Sequence, residues 1–161
     1  MEIATLAKET LSTPTQVYQV FIRSTPEHIW EAITDPEFTT KYFHGSRVEL
    51  KLVAGSEYLS TSPDRSEVWV EGEVLEVDPP KRLVHTWLAR YDAETAAEEP
   101  SRVTWEIEDR GDGMCLLTVV HDQLEGAPKT AQSVSGQGWM YVLSGLKTLL
   151  ETGDPLPAFS Q

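Results

Sequence analysis

The feature that most constrains the fold of this sequence is a long helix-like segment near its carboxyl end. The segment runs from Lys129 to Glu151, and its pattern predicts one helix. Its apolar residues recur at the spacing of a single helical face, namely Trp139, Val142, Leu143, Leu146, Leu149 and Leu150. Gly153 and the Asp-Pro pair that follows it end the helix. A helix with one apolar face has to pack on another layer, and we expect the preceding chain to supply that layer.

Two glycines near the start of this segment leave its first turn open to two interpretations. Gly136 and Gly138 each lower helix propensity by roughly 1 kcal/mol relative to alanine. They either fray the first turn or allow another backbone or a ligand to approach the helix closely.

The segments that precede the helix show the signals of short strands and short helices. We predict a first strand at residues 17–23 and then two short helices at residues 26–35 and 36–43. Six further strands are enriched in β-branched and aromatic residues and lie at residues 47–52, 56–61, 67–77, 82–89, 102–109 and 114–122. The short spacers between them indicate antiparallel connections. The acidic, alanine-rich segment 91–101 is expected to be a mobile loop.

This order of elements predicts an α+β architecture. We expect a curved antiparallel sheet of about six or seven strands that wraps around the long C-terminal helix, with two short helices after the first strand. The length of 161 residues fits a single domain. We assign residues 1–15 to a flexible N-terminal arm, residues 16–152 to the domain and residues 153–161 to a C-terminal tail. An apolar space is expected between the sheet and the helix.

The composition excludes several classes of function. With a formal net charge of −13, the chain shows no basic patch for nucleic acid and is disfavoured at anionic membranes. No apolar run approaches the roughly 20 residues of a membrane span, and the opening segment lacks a signal-peptide pattern, so we predict a cytoplasmic protein. The single cysteine, Cys115, cannot form an internal disulfide. The four histidines show no metal-binding spacing, and we predict neither a metal nor a cofactor.

Four stretches of the sequence carry a resemblance to a known family. They are IRSTPEHIWEAITDPE at residues 22–37, GEVLEVDPPKRLVHTW at 72–87, DGMCLLTVVHDQL at 112–124 and GQGWMYVLSGLKTLLE at 136–151. In this order they resemble the START-like, Bet v 1-like (SRPBCC) domains, specifically the branch of the activator of Hsp90 ATPase homologue 1-like domains. The resemblance implies the helix-grip fold. It does not imply one function, because relatives of this shape include ligand carriers, polyketide aromatase/cyclases, hormone sensors and co-chaperone domains.

Aromatic residues supply most of the candidate ligand-binding positions. Small-molecule sites usually have apolar walls and a few polar groups. On the helix-grip fold, the residues expected to line such a cavity are Phe38, Tyr42, Trp69, His85, Trp87, Trp105, His121, Trp139 and Leu143. The tryptophans can equally be ordinary core residues, and the two histidines can equally be structural groups with satisfied hydrogen bonds.

Three functions are compatible with these residues, and we favour the first. It is a non-enzymatic module that binds an unknown hydrophobic or aromatic small molecule as a carrier, a sensor or a stress-linked accessory. The second is an enzyme that resembles the polyketide aromatase/cyclases, which would transfer protons through Tyr42, Arg47, His85 or His121. The sequence shows no matched acid–base pair, so no catalytic residue is assigned.

The third hypothesis, a chaperone-associated interaction module, follows from the name of the family. The Hsp90 activators that the sequence resembles also carry a separate N-terminal domain that stimulates the ATPase. Only 16 residues precede the first predicted strand, which is too few for that domain, and ATPase stimulation is therefore not expected. Homodimerisation is compatible with all three hypotheses.

Overall fold

The computed structural model describes residues 14–157, so residues 1–13 of the predicted arm and 158–161 of the predicted tail lie outside the described residues. Within the described part the chain forms seven strands, which are β1 (Gln16–Ile22), β2 (Arg47–Leu50), β3 (Glu57–Thr61), β4 (Val68–Asp78), β5 (Arg82–Ala89), β6 (Ser101–Gly111) and β7 (Met114–Asp122). It also forms five helices, which are α1 (Pro26–Thr34), α2 (Pro36–Tyr42), α3 (Ala93–Ala96), α4 (Pro128–Val134) and α5 (Gln137–Thr152). None of these five helices is long and apolar enough to cross a membrane.

All seven strands belong to one sheet, whose order is β1-β7-β6-β5-β4-β3-β2. Every neighbouring pair is antiparallel. Strands β2 to β7 follow one another as a meander, and β1 pairs with β7 so that Gln16 lies opposite His121 and Ile22 lies opposite Cys115. The sheet, the two helices after β1 and the long C-terminal helix confirm the predicted α+β helix-grip fold.

One face of the sheet is buried because apolar and polar residues alternate along its strands. In β7 the alternate residues Cys115, Leu117, Val119 and His121 are buried, and those between them are partly exposed. Helix α5 packs its apolar stripe into the same core. Five of the six residues predicted for that stripe are buried, and Leu150 is partly buried.

The two short helices after β1 start at side-chain caps. The Thr25 hydroxyl accepts a hydrogen bond from the backbone N–H of His28 at 3.2 Å, at the start of α1. The Asp35 carboxylate accepts one from the backbone N–H of Glu37 at 2.9 Å, at the start of α2. Each helix also begins with a proline, whose missing N–H costs nothing at this position. The caps thus fix both starts close to the predicted residues.

The prediction of one helix over residues 129–151 is wrong. Helix α4 ends at Val134, and α5 begins at Gln137. Between them Gly136 adopts φ 62° and ψ −114°, which lies outside the helical region and is a conformation that residues with a side chain rarely adopt. The glycine therefore redirects the chain between two helices, which neither of the two sequence interpretations anticipated.

The segment that was expected to be a mobile loop, residues 91–101, contains α3 and is anchored to α4. The Glu98 carboxylate accepts hydrogen bonds from the backbone N–H of Lys129 at 2.7 Å and from that of Thr130 at 2.9 Å. These amides lie in the first turn of α4, where they have no partner within the helix. Because the N-cap residue is Ala127, which has no side-chain acceptor, Glu98 supplies the cap from a distant part of the chain.

Candidate functional site

A cleft of about 550 Å³ lies between the sheet and the region where α4 meets α5. Three other parts of the chain contribute to it, namely the turn after α2, the strands β3, β4 and β5, and Tyr91 in the segment after β5. The change of direction at Gly136 brings the end of α4 and the start of α5 to the same side of this cleft. The cleft therefore depends on the break between the two helices.

The floor of the cleft is apolar and buried. It consists of Phe43, Val70, Trp87, Val134, Trp139 and Val142. The ring centroid of Trp139 lies 5.9 Å from that of Phe43 and 5.7 Å from that of Trp87, in edge-to-face and tilted arrangements. Such arrangements are favourable for aromatic pairs. Two buried hydroxyl residues, Ser46 and Ser60, interrupt the apolar lining.

The rim of the cleft carries polar residues without a full charge. Tyr91 and Ser133 place their hydroxyl oxygens 2.8 Å apart and so tie the segment after β5 to α4 at one side of the mouth. His44 also lies at the rim, and burial lowers its pKa, which favours the neutral imidazole. Among the described residues, no Asp, Glu, Lys or Arg lines the cleft. An occupant therefore meets no formal charge in the lining at neutral pH.

Behind the floor, a tryptophan fixes the ring of His85. The imidazole is fully buried, and its Nε2 accepts a hydrogen bond from Trp105 Nε1 at 3.0 Å. Because an indole N–H can only donate, the proton of the neutral imidazole lies on Nδ1, which donates to the Thr86 carbonyl at 2.9 Å. The Tyr58 ring stacks on the imidazole with a centroid distance of 3.7 Å. These contacts determine both the tautomer and the orientation of His85.

A second tryptophan fixes His121 in the opposite tautomer. Trp139 Nε1 donates to His121 Nδ1 at 3.1 Å, so the proton of the neutral ring lies on Nε2. His121 Nε2 then donates to the Ser101 hydroxyl at 2.7 Å. The Ser101 hydroxyl in turn donates to the Trp87 carbonyl at 3.3 Å. This chain of hydrogen bonds holds the Trp139 ring, which is itself part of the cleft floor.

Burial keeps both imidazoles neutral. It lowers the pKa of His85 to about 4; the bond to the Thr86 carbonyl opposes this decrease, and His121 adds to it. Burial also lowers the pKa of His121 to about 4, against the opposing effect of Asp122. Protonation would place a hydrogen on the nitrogen that accepts from tryptophan, and it would break that bond. Both histidines therefore serve as neutral structural acceptors at pH 7.

The third tryptophan of this cluster, Trp87, has no such acceptor. Its side chain is buried in the floor of the cleft, and its Nε1 has no hydrogen-bond partner within residues 14–157. The hydroxyl of Ser60, another buried residue of the lining, also makes no hydrogen bond to a described residue. Buried polar groups without partners are uncommon in proteins. Among the described residues, Trp87 Nε1 is the buried side-chain atom that lacks a hydrogen-bond partner.

A comparison with protein families matches residues 23–151 to the family described as activator of Hsp90 ATPase homolog 1-like protein. The match spans most of the chain. This chain belongs to that family. The resemblance inferred from the four sequence stretches is therefore confirmed. A comparison with curated proteins returned no match.

Solved structures of similar fold include the following three. Protein MLL2253 from Mesorhizobium loti is 25% identical, with 88% of this chain and 99% of that chain covered and a TM-score of 0.70. CalU16 from Micromonospora echinospora is 20% identical, with 86% and 77% covered and a TM-score of 0.66. PFC0360w, an Hsp90 activator from Plasmodium falciparum, is 20% identical, with 85% and 96% covered and a TM-score of 0.63. At these identities the last two show a common fold and no more.

Three of the predicted ligand-binding residues, Trp69, Trp87 and Trp139, line the cleft of this family member. The other six lie outside the lining, and they are Phe38, Tyr42, His85, Trp105, His121 and Leu143. Trp105 and the two histidines lie behind the floor, where His121 acts on the cleft through its bond to Trp139. Ligand contact by any of these residues stays a prediction.

Sequence reasoning missed lining residues that lie in turns and at the helix junction. Phe43 belongs to the floor, Ser60 interrupts the apolar lining, and Tyr91 and Ser133 form the link at the rim. The available signal was Gly136, because a break at that residue, rather than one continuous helix, turns the end of α4 toward the sheet. No periodic pattern identifies Phe43, Ser60 or Tyr91.

The residues considered for acid–base catalysis do not meet at the cleft. The Tyr42 hydroxyl donates to the Ala32 carbonyl at 2.7 Å. Arg47 Nε lies 3.4 Å from a carboxylate oxygen of Glu49. The two buried histidines accept from tryptophan, and none of these four candidates lines the cleft. Among residues 14–157, no group of three or more His, Cys, Asp and Glu side chains is arranged to hold a metal ion.

Proposed function

We propose that this protein binds a small hydrophobic or aromatic molecule in the cleft between the sheet and the start of α5, and that it acts as a carrier, a sensor or an accessory protein. The observation that carries the proposal is the cleft itself, with a volume of about 550 Å³, a buried aromatic floor and no charged lining residue. Small-molecule sites usually have this size and a mainly apolar lining with few polar groups.

The fixed positions of the floor residues support the proposal. His121 holds the Trp139 ring by a hydrogen bond of 3.1 Å, and the bond between Tyr91 and Ser133 fixes one side of the rim. A surface that is already ordered loses little conformational freedom when a ligand binds, so more of the contact energy appears as affinity.

The two alternative functions have less support. A cyclase-like enzyme needs a proton donor or acceptor within reach of the carbonyl groups of its substrate, and the four candidates lie outside the cleft. The likeness to an Hsp90 activator, at 20% identity, supports a common fold and not a common partner. Ligand binding without turnover therefore fits the geometry best.

A titration with Nile red, an uncharged dye that fluoresces strongly in apolar surroundings, tests the proposal. The wild-type protein is expected to bind one dye molecule. Val142→Phe adds a ring to the floor of the cleft and is expected to weaken binding about tenfold or more. The control is Val17→Phe, which makes the same change at a residue that is 57% exposed on β1 and is expected to leave binding unchanged.

The proposal is wrong if a folded Val142→Phe variant binds the dye as tightly as the wild type. Thermal unfolding of both variants establishes that each is folded at the temperature of the titration. A loss of binding in Val17→Phe would also contradict it, because the dye would then occupy the outer face of the sheet.

A further inference from the structure

We propose that the cleft selects an uncharged, planar aromatic molecule that carries a hydrogen-bond acceptor oxygen, such as an aryl ketone or a quinone, and that the indole N–H of Trp87 donates to this oxygen. The inference rests on the proposed function and adds the chemical class of the ligand. It follows from the unsatisfied indole N–H of Trp87, from the absence of charged residues in the lining and from the aromatic rings of the cleft.

The strongest reason is the contrast between Trp87 and the two tryptophans beside it. Trp105 and Trp139 each donate to a histidine nitrogen, at 3.0 Å and 3.1 Å. Trp87 Nε1 is as well buried and has no partner within residues 14–157. An unsatisfied buried donor destabilises the free protein, and an acceptor that reaches it gains the full benefit of the hydrogen bond.

The neighbouring side chains cannot supply the missing acceptor. The rings around Trp87 belong to Phe43, Trp139, His85 and His121. Phenylalanine and the indole N–H accept no hydrogen bond of this kind, and each nitrogen of the two histidines already has a partner. The cleft borders the Trp87 ring, so we assign the missing acceptor to the oxygen of a molecule bound there.

Ser60 adds a second polar group to the lining. Its hydroxyl makes no hydrogen bond to a described residue, although the side chain is only 4% exposed. A hydroxyl can both donate and accept. It can therefore donate to or accept from a polar group of the ligand.

The charge of the site excludes ionic ligands. No Asp, Glu, Lys or Arg lines the cleft among the described residues, so neither an anion nor a cation finds a counter-ion there. The net charge of −13 repels anions from the whole molecule. We therefore expect an uncharged ligand.

The floor favours a flat ligand. Trp69, Trp87 and Trp139 present rings to the cleft together with Phe43. Planar aromatic molecules pack on such rings in stacked or edge-to-face contacts that add to the burial of apolar area. The donor and the aromatic floor together therefore distinguish an aryl carbonyl from a flexible acyl chain.

A matched pair of probes tests the inference, namely 9-fluorenone and fluorene, which share one ring system and differ by the carbonyl oxygen. The wild type is expected to bind fluorenone on the order of tenfold more tightly than fluorene, as measured by quenching of tryptophan fluorescence. Trp87→Phe is expected to remove this preference. The matched control is Trp30→Phe, which makes the same change on α1, away from the cleft, and is expected to keep the preference.

A second measurement uses the wild type alone and does not depend on the folding of Trp87→Phe. In a ¹⁵N-labelled sample, the assigned indole N–H proton of Trp87 is expected to move downfield when fluorenone binds and not when fluorene binds. The indole signal of Trp30 is expected to stay in place and serves as the internal reference.

Each outcome decides between the two proposals. Equal affinity for the two probes, or a downfield shift that fluorene also produces, overturns the role of Trp87 and leaves apolar binding in the cleft intact. Failure of both probes to bind while Nile red still binds overturns the planar aromatic ligand class and leaves the proposed function intact, whereas failure of all three overturns the proposed function as well. Tighter binding of benzyltrimethylammonium than of fluorenone overturns the assignment of an uncharged ligand.

Discussion

Three buried tryptophans of the aromatic core differ in one atom-level property, which is whether the indole N–H has an acceptor. Trp105 donates to His85 and Trp139 donates to His121. Trp87 has no acceptor among the described residues. The same substitution at two of these positions therefore has different consequences for stability.

Trp105→Phe is expected to lower the free energy of unfolding by more than Trp87→Phe does. Both changes truncate a buried ring, since the two side chains are 2% and 5% exposed. Only Trp105→Phe leaves a buried acceptor, His85 Nε2, without its donor, which costs about 1–3 kcal/mol. Urea unfolding of the two variants measures the difference. Equal losses, or a larger loss in Trp87→Phe, would show that these hydrogen bonds contribute little.

Stability is expected to decrease as the pH falls from about 6.5 to 4. The pKa of His85 and that of His121 lie at about 4 in the folded protein, below the roughly 6.5 of an unperturbed histidine. Above pH 6.5 neither state binds a proton at these sites. Between the two values the unfolded chain binds protons that the folded protein excludes, so the free energy of unfolding decreases by on the order of 3 kcal/mol for each histidine.

The variant His85→Gln tests the origin of this decrease, because a glutamine oxygen can accept from Trp105 without titrating. Its free energy of unfolding is expected to change less between pH 6.5 and 5 than that of the wild type, while the carboxylates contribute equally to both. Tyr58, which stacks on His85, stays neutral in this range because burial raises its pKa. Parallel pH profiles for the two proteins would assign the decrease to other groups.

The sequence predicted that both histidines lie on strands with one buried face, but it could not predict their partners. Trp105 lies 20 positions from His85, and Trp139 lies 18 positions from His121. Each pair forms across elements, so the bond depends on strand register and on the rotation of α5. The periodicity of the sequence predicts neither the strand register nor the rotation of the helix. The choice between a structural histidine and a ligand-binding one therefore stayed open until the fold was known.

At the scale of elements, the two-residue period predicted the sheet well. The bounds of β5 and β7, residues 82–89 and 114–122, are those expected from the sequence. One error falls where a single residue has an unusual backbone conformation, and another falls at the segment 91–101, which Glu98 anchors to α4. Gly136, which has a positive φ, divides the predicted helix. The sequence pattern did not show this break, because one residue with a positive φ does not alter the apolar spacing on either side of it.

Gly72 of β4 begins the stretch 72–87, one of the four that resemble the family, and the packing of β4 against β5 explains why this residue is a glycine. A Cβ at this position would lie 2.0 Å from the Thr86 carbonyl oxygen of β5, so the two strands would have to separate. Gly72→Ala is expected to lower the free energy of unfolding by at least about 1–3 kcal/mol, the usual cost of overpacking. Glu73→Ala, at the exposed neighbouring residue, is the control and is expected to stay within about 0.5 kcal/mol. Thermal unfolding of both variants compares them, and a neutral Gly72→Ala would contradict the close approach of the strands.

At the scale of the whole molecule, the order of elements was sufficient to predict the fold and insufficient to predict the cleft. Few folds are compatible with the order of a strand, two helices, a meander and a final helix. The family match over residues 23–151 agrees with the fold inferred from this order. The lining, in contrast, comes from separate parts of the chain, including a turn at Phe43 and a helix junction at Gly136. Its function could not be taken from the fold, since one fold carries many functions.

The distribution of charge also belongs to this scale. The molecule has a formal net charge of −13, yet no Asp, Glu, Lys or Arg lines the cleft among the described residues. A strongly acidic surface keeps the protein soluble, and an uncharged interior site accepts apolar molecules. The two properties together fit a soluble binder of uncharged ligands.

The most direct test of ligand binding in the cleft is a set of nuclear Overhauser effects between 9-fluorenone and a protein sample labelled at its valine and leucine methyl groups. We expect contacts from the ligand protons to the methyl groups of Val70, Val134 and Val142, which form the floor. Contacts to the methyl groups of exposed Val17 instead, or none at saturating ligand, would contradict binding in the cleft.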